Sequence, residues 1–523
     1  MNELRMHHDK WTKARRKVDK VEMATHIPFP LLELLPSASI CDHAVSVYFR
    51  SFEKSMRILH YPSFLDEYQR FWASDDTCRA EFEAFIAQLA VIVAIIHAWE
   101  DIPTPASEKE FKADILCDHV EVWLDSLRGR KQLTITTLRT RALLVLAQQL
   151  RAVKADEVWK ATGKLLRFAM TAGLHREPSE FPEISLFEGE LRRRVWMTIV
   201  EMDLEASLTY GMPVMLHERD FTCKAPANVD DVDLFDGMTE LPLAKPLEQS
   251  TDSVFQVVLV GSLPLRLRAM AELATRFGDV LAHIHSLELY IRSLPSKLRL
   301  DWDTKPDFGH TFATVQLNLY IKRVLSHLYR SSIAMTDDAS EAIATGLKSS
   351  LSILSYQKLF DPEILASNDS QCERYWDLFH VLCKSDMMQA ALDICLHVQE
   401  EGIVSWTRAS LLLALDDTTD SLMRRVSRSG SDIKDILRLA MTSQLLKSQF
   451  MQADGEQMMK EAAQIVLTSC RKAARKRETL NKEDRNEMVC ARELCVTSQL
   501  TLPPGCHTFS KYSDCLGERY FAS

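Results

Sequence analysis

The stretch YFRSFEKSMRILHYPSFLDEYQRFW, Tyr48 to Trp72, decides the fold class. Val45, Tyr48, Phe49, Phe52, Met56 and Leu59 recur at three- and four-residue spacing, which lines one face of a helix with large apolar groups. A face of that kind has to be covered by other elements. Tyr61-Pro62 is read as the break, because proline lacks a donor and pushes its predecessor out of the helical region. Ser63, followed by Asp66, is read as the cap of a second helix, its hydroxyl meeting free amides and the carboxylate meeting the positive end of the dipole. Phe64, Tyr68, Phe71 and Trp72 form that helix's buried stripe. Two amphipathic helices joined by a proline turn are a device for burial, not a catalytic motif.

The helical pattern continues outward. Predicted helices run from Ala80 to Trp99, Phe111 to Leu127, Thr137 to Leu150, Val158 to Leu174 and Leu186 to Tyr210. Further ones run from Val254 to Arg276, Asp279 to Arg292, Phe312 to Ser331, Ala339 to Phe360, Tyr375 to Glu400 and Ser431 to Gln452. Ser185 with Glu188 is a capping-box pattern, and Gly211-Met212-Pro213 stops the helix it opens. The loop from there to Ser253 is rich in proline and aspartate. A hydrophobic fraction of 46% permits a sizeable core, and only 15 glycines in 523 residues argue against many tight β-turns. The expected class is all-α: one large multi-helix domain, or two packed helical lobes meeting at Leu294-Pro295 through Gly309. The strongest apolar run, Leu89 to Trp99, is far shorter than the roughly 20 residues a membrane span needs, so it is read as a helix buried on all sides and no membrane partner is expected. Gly163 costs about 1 kcal/mol of helix stability relative to alanine; with Ala169 and Ala172 nearby, it is expected to let another helix approach closely.

The formal net charge of −10 is the wrong sign for a body that clings to phosphates. Basic charge is local: Lys10, Lys13, Arg15, Arg16, Lys17 and Lys20, and later Arg471, Lys472, Arg475, Lys476 and Arg477. Each run fits a nuclear-import signal, although most such runs are solvated helix faces. Arg192, Arg193 and Arg194 point in three directions about 100° apart, so they form no single basic face; an internal carboxylate pair with another helix is expected instead. The 12 cysteines include no pair at metal-chelating or redox spacing, and free thiols in a reducing compartment are expected. Asp230, Asp231 and Asp233 are the best candidates for a magnesium box, yet Leu234 stands where its next ligand belongs. His283 and His285, two apart on a predicted helix, face opposite ways. No Gly-rich phosphate loop or nucleophile elbow is present. No catalytic, cofactor-binding or metal-binding residue is therefore expected.

A second block follows the opening stretch: Trp159, Gly163, Arg167, Ala169 and Gly173-Leu174-His175-Arg176, then Arg192-Arg193-Arg194-Val195-Trp196, then Asp203, Ser207, Gly211 and Pro213, then Pro226-Ala227-Asn228 with Asp230-Asp231. A weaker third is Gly430-Ser431-Asp432-Ile433-Lys434. In this order the motifs resemble the fungal-specific transcription factor domain, most densely from Leu31 to Leu234. The resemblance implies a nuclear, all-α regulatory region that accompanies zinc-based DNA-binding modules. Such a region holds an activator silent, responds to a small-molecule effector or partner, and contributes to homo- or heterodimerisation; many relatives act on a metabolic or secondary-metabolite gene cluster. The family's zinc module is not matched, since the first cysteine, Cys41, already lies in the helical region. Zinc is thus expected only with an additional N-terminal module, and DNA only through that module or a partner; no residue of this chain is assigned a DNA contact. The alternatives are a stand-alone interaction protein that restrains full-length relatives and, remotely, an all-α metal-dependent isoprenoid-type enzyme. The expected organisation is a basic mobile leader (1–27), the fungal-specific transcription factor domain (28–300), a C-terminal helical continuation (301–500) and a tail (501–523).

Overall fold

The structure is a computed structural model that describes residues 31–480, apart from 101–112, 152–154, 276–278, 301–306, 336–339, 367–368, 399–404 and 430–432. The leader, the tail and the candidate import residues Lys13, Arg15, Arg16 and Lys17 lie outside the described residues, as does the start of the third motif, Gly430-Ser431-Asp432. All regular structure among the described residues is helical.

The deciding stretch folds as helices, with two departures from its expected boundaries. After the short α1 (Leu31–Leu34), α2 (Ala38–Ser51) stops before Leu59; a separate turn, α3 (Glu53–Met56), follows, and Arg57 adopts a left-handed conformation at φ +49°. That conformation costs an L-residue roughly 1–2 kcal/mol. It turns the chain so that the Arg57 guanidinium reaches inward. The next helix, α4 (Tyr61–Ala73), begins before Pro62 rather than after it, since proline is accepted in a first turn where its missing donor costs nothing. Ser63 is therefore not the cap. His60 is: its Nδ1 accepts from the Ser63 amide at 3.4 Å and lies 2.8 Å from the Ser63 hydroxyl. The expected stripe is in place, with Phe64, Tyr68 and Phe71 buried and ring contacts linking Phe64 to Phe49 and Phe85.

Next come α5 (Asp76–Arg79), α6 (Glu83–His97), α7 (Ala113–Ser126), α8 (Ile135–Leu150), α9 (Ala155–Thr171) and α10 (Leu186–Thr209). Helix α6 is buried continuously from Phe85 to Ile96, packed among α2, α7 and α8. Ser185 caps α10 by accepting from the Glu188 amide, and Gly211, at φ +66°, ends it with the Met212 amide donating to the Ser207 carbonyl. The expectation for Gly163 fails. A Cβ there would meet only the end of the Arg167 side chain, at 3.0 Å, and no atom of another helix within 4 Å.

The second half comprises α11 (Val254–Thr275), α12 (Val280–Ser293), α13 (Phe308–Met335), α14 (Ser340–Ser355), α15 (Ser370–Leu382), α16 (Lys384–Val398), α17 (Ser405–Ser429), α18 (Ile433–Met451) and α19 (Gly455–Leu480). The single helix expected from Tyr375 to Glu400 is two, broken at Cys383, and α17 and α19 were not anticipated. Helix α11 is long and apolar enough over Val254–Leu273 to cross a membrane by length and composition alone. Here it packs against α10, α12 and α13, and buries Arg266 in a charge pair. Helix α13 touches α2, α3, α10, α11, α12, α14 and α15, so it is the beam joining the two halves. One apolar core, from Leu31 to Cys470, runs continuously across the Leu294–Gly309 interruption.

Candidate functional site

Two clusters of buried charge stand on this scaffold. The first forms where the Arg57 turn meets the Pro/Asp-rich loop. Arg57 and Arg194 both donate to Oδ1 of Asp231, Arg194 at 2.6 Å, while the Tyr61 amide donates to Oδ2 at 3.2 Å. His60 Nε2 lies 2.9 Å from the Asp231 carbonyl oxygen. Arg193 pairs with Glu177 and, at 3.2 Å, with Glu190; these two acids in turn accept from the Lys224 and Ala227 amides at 2.9 and 2.8 Å. Arg192 takes Glu188 at 2.9 Å on the helix surface. The triplet thus points three ways, each arginine meets a carboxylate, and the decisive partner of Arg194 is supplied by the loop rather than by another helix.

Burial opposes ionisation of Asp231, but Arg57, Arg194 and His60 outweigh it and hold its carboxyl below the ordinary value. Burial acts likewise on Glu177, yet its bonds to Arg193, the Lys224 amide and Ser179 bring it down to about 2. Glu53 behaves oppositely. Burial pushes it up to about 7, against the pull of Arg57, the Tyr48 hydroxyl (2.7 Å) and the Leu59 amide (2.8 Å). Lys245 holds Asp230 and, at 3.3 Å, Asp233. The three aspartates of the candidate magnesium box are therefore committed to arginine and lysine and leave no shared face for a cation.

The second cluster lies between α10, α13 and α16. Arg323 Nε and Nη2 donate to the two oxygens of Asp386 at 2.6 and 2.7 Å, and Nη1 meets Glu205. Beside it, Arg266 donates to both oxygens of Glu201, at 2.7 and 2.5 Å. A cavity of about 430 Å³ opens here, lined from α3, α8, α10, α11, α13, α15, α16 and α18 and bordered by Glu201, Glu205, Tyr320 and Arg323. A smaller one of about 120 Å³ shares Arg323 with it and is lined by Asp386 and by His327, whose pKa burial lowers to about 4.

Nothing in either cluster pairs a nucleophile with a base. Burial pushes the thiols of Cys223 and Cys395 up to about 12 and that of Cys372 up to about 11, so they stay protonated. His283 bonds Glu272 at 2.7 Å and His285 is exposed, so the two do not share a face. Of the candidate import residues, Arg471 is exposed on α19; the side chains of Lys472, Arg475, Lys476 and Arg477 lie outside the described residues. Sequence reasoning considered Glu205 without finding its partner, and passed over Arg323 and Asp386. The available signal was Arg323 standing three residues from Tyr320 and one from Val324 on the apolar stripe of Leu317, Tyr320, Ile321, Val324, Leu325 and Leu328.

Comparison with known proteins agrees with this non-catalytic reading. Residues 45–285 match the fungal specific transcription factor domain. Transcription factor opdR of Penicillium oxalicum is 32% identical over 263 residues, covering 50% of this chain and 33% of that protein. Transcription factor lepE of Aspergillus flavus is 34% identical over 239 residues, covering 45% and 28%. The fusarisetin A cluster transcription factor of a Fusarium species is 24% identical over 423 residues, covering 76% and 54%. The chain thus spans about a third to a half of the length of these relatives. No solved structure matches.

Proposed function

We propose that this chain is the regulatory body of a fungal transcription factor that acts in the nucleus on a biosynthetic gene cluster. The observation that carries the reading is the domain match over residues 45–285, joined to relatives named as transcription factors, one of them a cluster factor. The net charge of −10 supports DNA contact through an additional N-terminal zinc module or through a DNA-binding partner, not through the helical body. Within that body, residues 28–300 form the regulatory core and 301–500 its continuation. Dimerisation with a second copy or a related factor, and control by a small-molecule effector, fit a helical body whose packing a bound molecule shifts only by its differential affinity. The test is chromatin occupancy of the tagged protein with and without candidate zinc-cluster partners. Enrichment at promoters of one biosynthetic cluster is expected; absence from every promoter under all conditions overturns the reading.

A further inference from the structure

We propose that the cavity beside Arg323 binds an uncharged, largely apolar organic molecule carrying a hydroxyl group, with Glu205 accepting the hydroxyl's hydrogen bond. This deepens the regulatory reading and rests on it for its biological consequence, though the binding itself does not.

The chemistry of the walls selects this ligand. At about 430 Å³ the cavity lies in the size range of small-molecule sites. Met56, Met202, Leu259, Leu319, Leu382 and Met388 supply apolar wall among its polar lining. The methionines are unbranched and adapt to irregular shapes. Two buried acceptors on the same walls lack donors. Gln256 spends its amide N–H groups on the Arg194 carbonyl and the Thr198 hydroxyl, both at 2.9 Å, leaving Oε1 without a partner. Glu205 meets Arg323 through Oε2, leaving Oε1 without one. A buried acceptor without a donor is destabilising, and a ligand that brings a donor recovers part of that loss.

Charge excludes the other classes. Both cations on the wall are engaged, Arg323 by Glu205 and Asp386 and Lys384 by Asp435 at 2.6 Å. An anion would therefore face Glu201, Glu205 and Asp435 with no free cation to meet it. A cation would have to approach the carboxylate that already holds a guanidinium. A neutral donor meets neither penalty. Glu205 lies on α10, inside the matched domain, whereas Arg323 and Asp386 lie beyond it. A hydroxyl on Glu205 thus bears on one of the contacts between the matched domain and the rest of the chain.

The test is calorimetric titration of the purified full chain with three probes of equal chain length: decan-1-ol, decyl methyl ether and decanoate. Decan-1-ol is expected to bind at least tenfold more tightly than either of the others. Glu205→Leu is expected to bring its affinity down to that of the ether, and Ala206→Met, which narrows the cavity, to weaken both neutral probes together. Folding of each variant is checked by circular dichroism, and the three-probe ranking on the wild-type chain decides the question even if a variant does not fold. Equal affinities, a preference for decanoate, or no binding of any probe would overturn the proposal. Chromatin occupancy, tested separately, is unaffected by any of these results, so failure here and failure of the regulatory reading are told apart.

Discussion

The two buried charge clusters are mirror images in stoichiometry. Around Asp231, two guanidiniums share one carboxylate; around Arg323, two carboxylates share one guanidinium. Their surroundings differ. The Asp231 knot is backed by amide donors, by Glu190 beside Arg194 at 3.6 Å, and by apolar packing, and its charged side chains line none of the cavities described above. Arg323 lines two cavities, with Asp386 on the smaller and Glu205 on the larger. Removing water on every side makes a charge cluster a fixed joint, because no alternative arrangement keeps every charge paired. Leaving space beside one lets a ligand enter without breaking the core. The first cluster is scaffold, and the second is where a bound molecule has something to change.

The comparison predicts a graded series. Asp231→Ala takes from Arg57 its paired carboxylate and leaves Arg194 only Glu190, at 3.6 Å, and should cost roughly 4 kcal/mol, read as a shifted urea midpoint or loss of soluble protein. A loss below about 1 kcal/mol would mean the knot is hydrated after all.

Next in size is a pH effect confined to the knot. Glu53 has its folded pKa raised to about 7, so its protonated form is favoured in the folded chain. The stability it contributes is complete below the ordinary value of 4.5 and disappears as pH rises through about 7. The wild-type chain should lose up to about 3 kcal/mol from this group across that window, and Glu53→Gln should flatten the loss. Glu177, held at about 2, acts the other way: its contribution is present above the ordinary carboxylate range and is lost as pH falls toward 2. Denaturation series from pH 3 to pH 8 on both proteins separate the two; identical slopes above pH 4.5 would place Glu53 as an ordinary carboxylate.

At the second cluster, Asp386→Ala should cost only about 2 kcal/mol, because Arg323 keeps Glu205 and the adjoining cavity admits water. A cost equal to that of Asp231→Ala would erase the distinction between the clusters. The smallest effect lies far from both: Gly163→Ala should stabilise α9 by about 0.5–1 kcal/mol, since only the flexible end of Arg167 has to move.

Much of the scaffold was legible because apolar period and helix punctuation are local properties. The stripe of Phe64, Tyr68 and Phe71, the Ser185 cap, the Gly211 stop and the all-round burial of α6 each follow from a few adjacent residues. The departures have physical causes. Pro62 is tolerated within a first turn, so the helix boundary moved to His60, an uncommon cap that propensity does not favour. Helix α17 was hidden by its weak apolar content, and α19 by a basic end that reads as an isolated charge run. The site was less visible than the fold. Arg194 and Asp231, or Glu205, Arg323 and Asp386, meet only through tertiary packing, and no spacing rule pairs residues brought together by a loop or a distant helix.

The most direct measurement joins this chain to a heterologous DNA-binding domain and reads a reporter carrying its binding sites. A regulatory helical body should move transcription away from the level set by the DNA-binding domain alone, and Glu205→Leu should change that output while Gly163→Ala leaves it unaltered. Reporter output equal to that of the bare DNA-binding domain, for the wild-type chain and both variants, would contradict it.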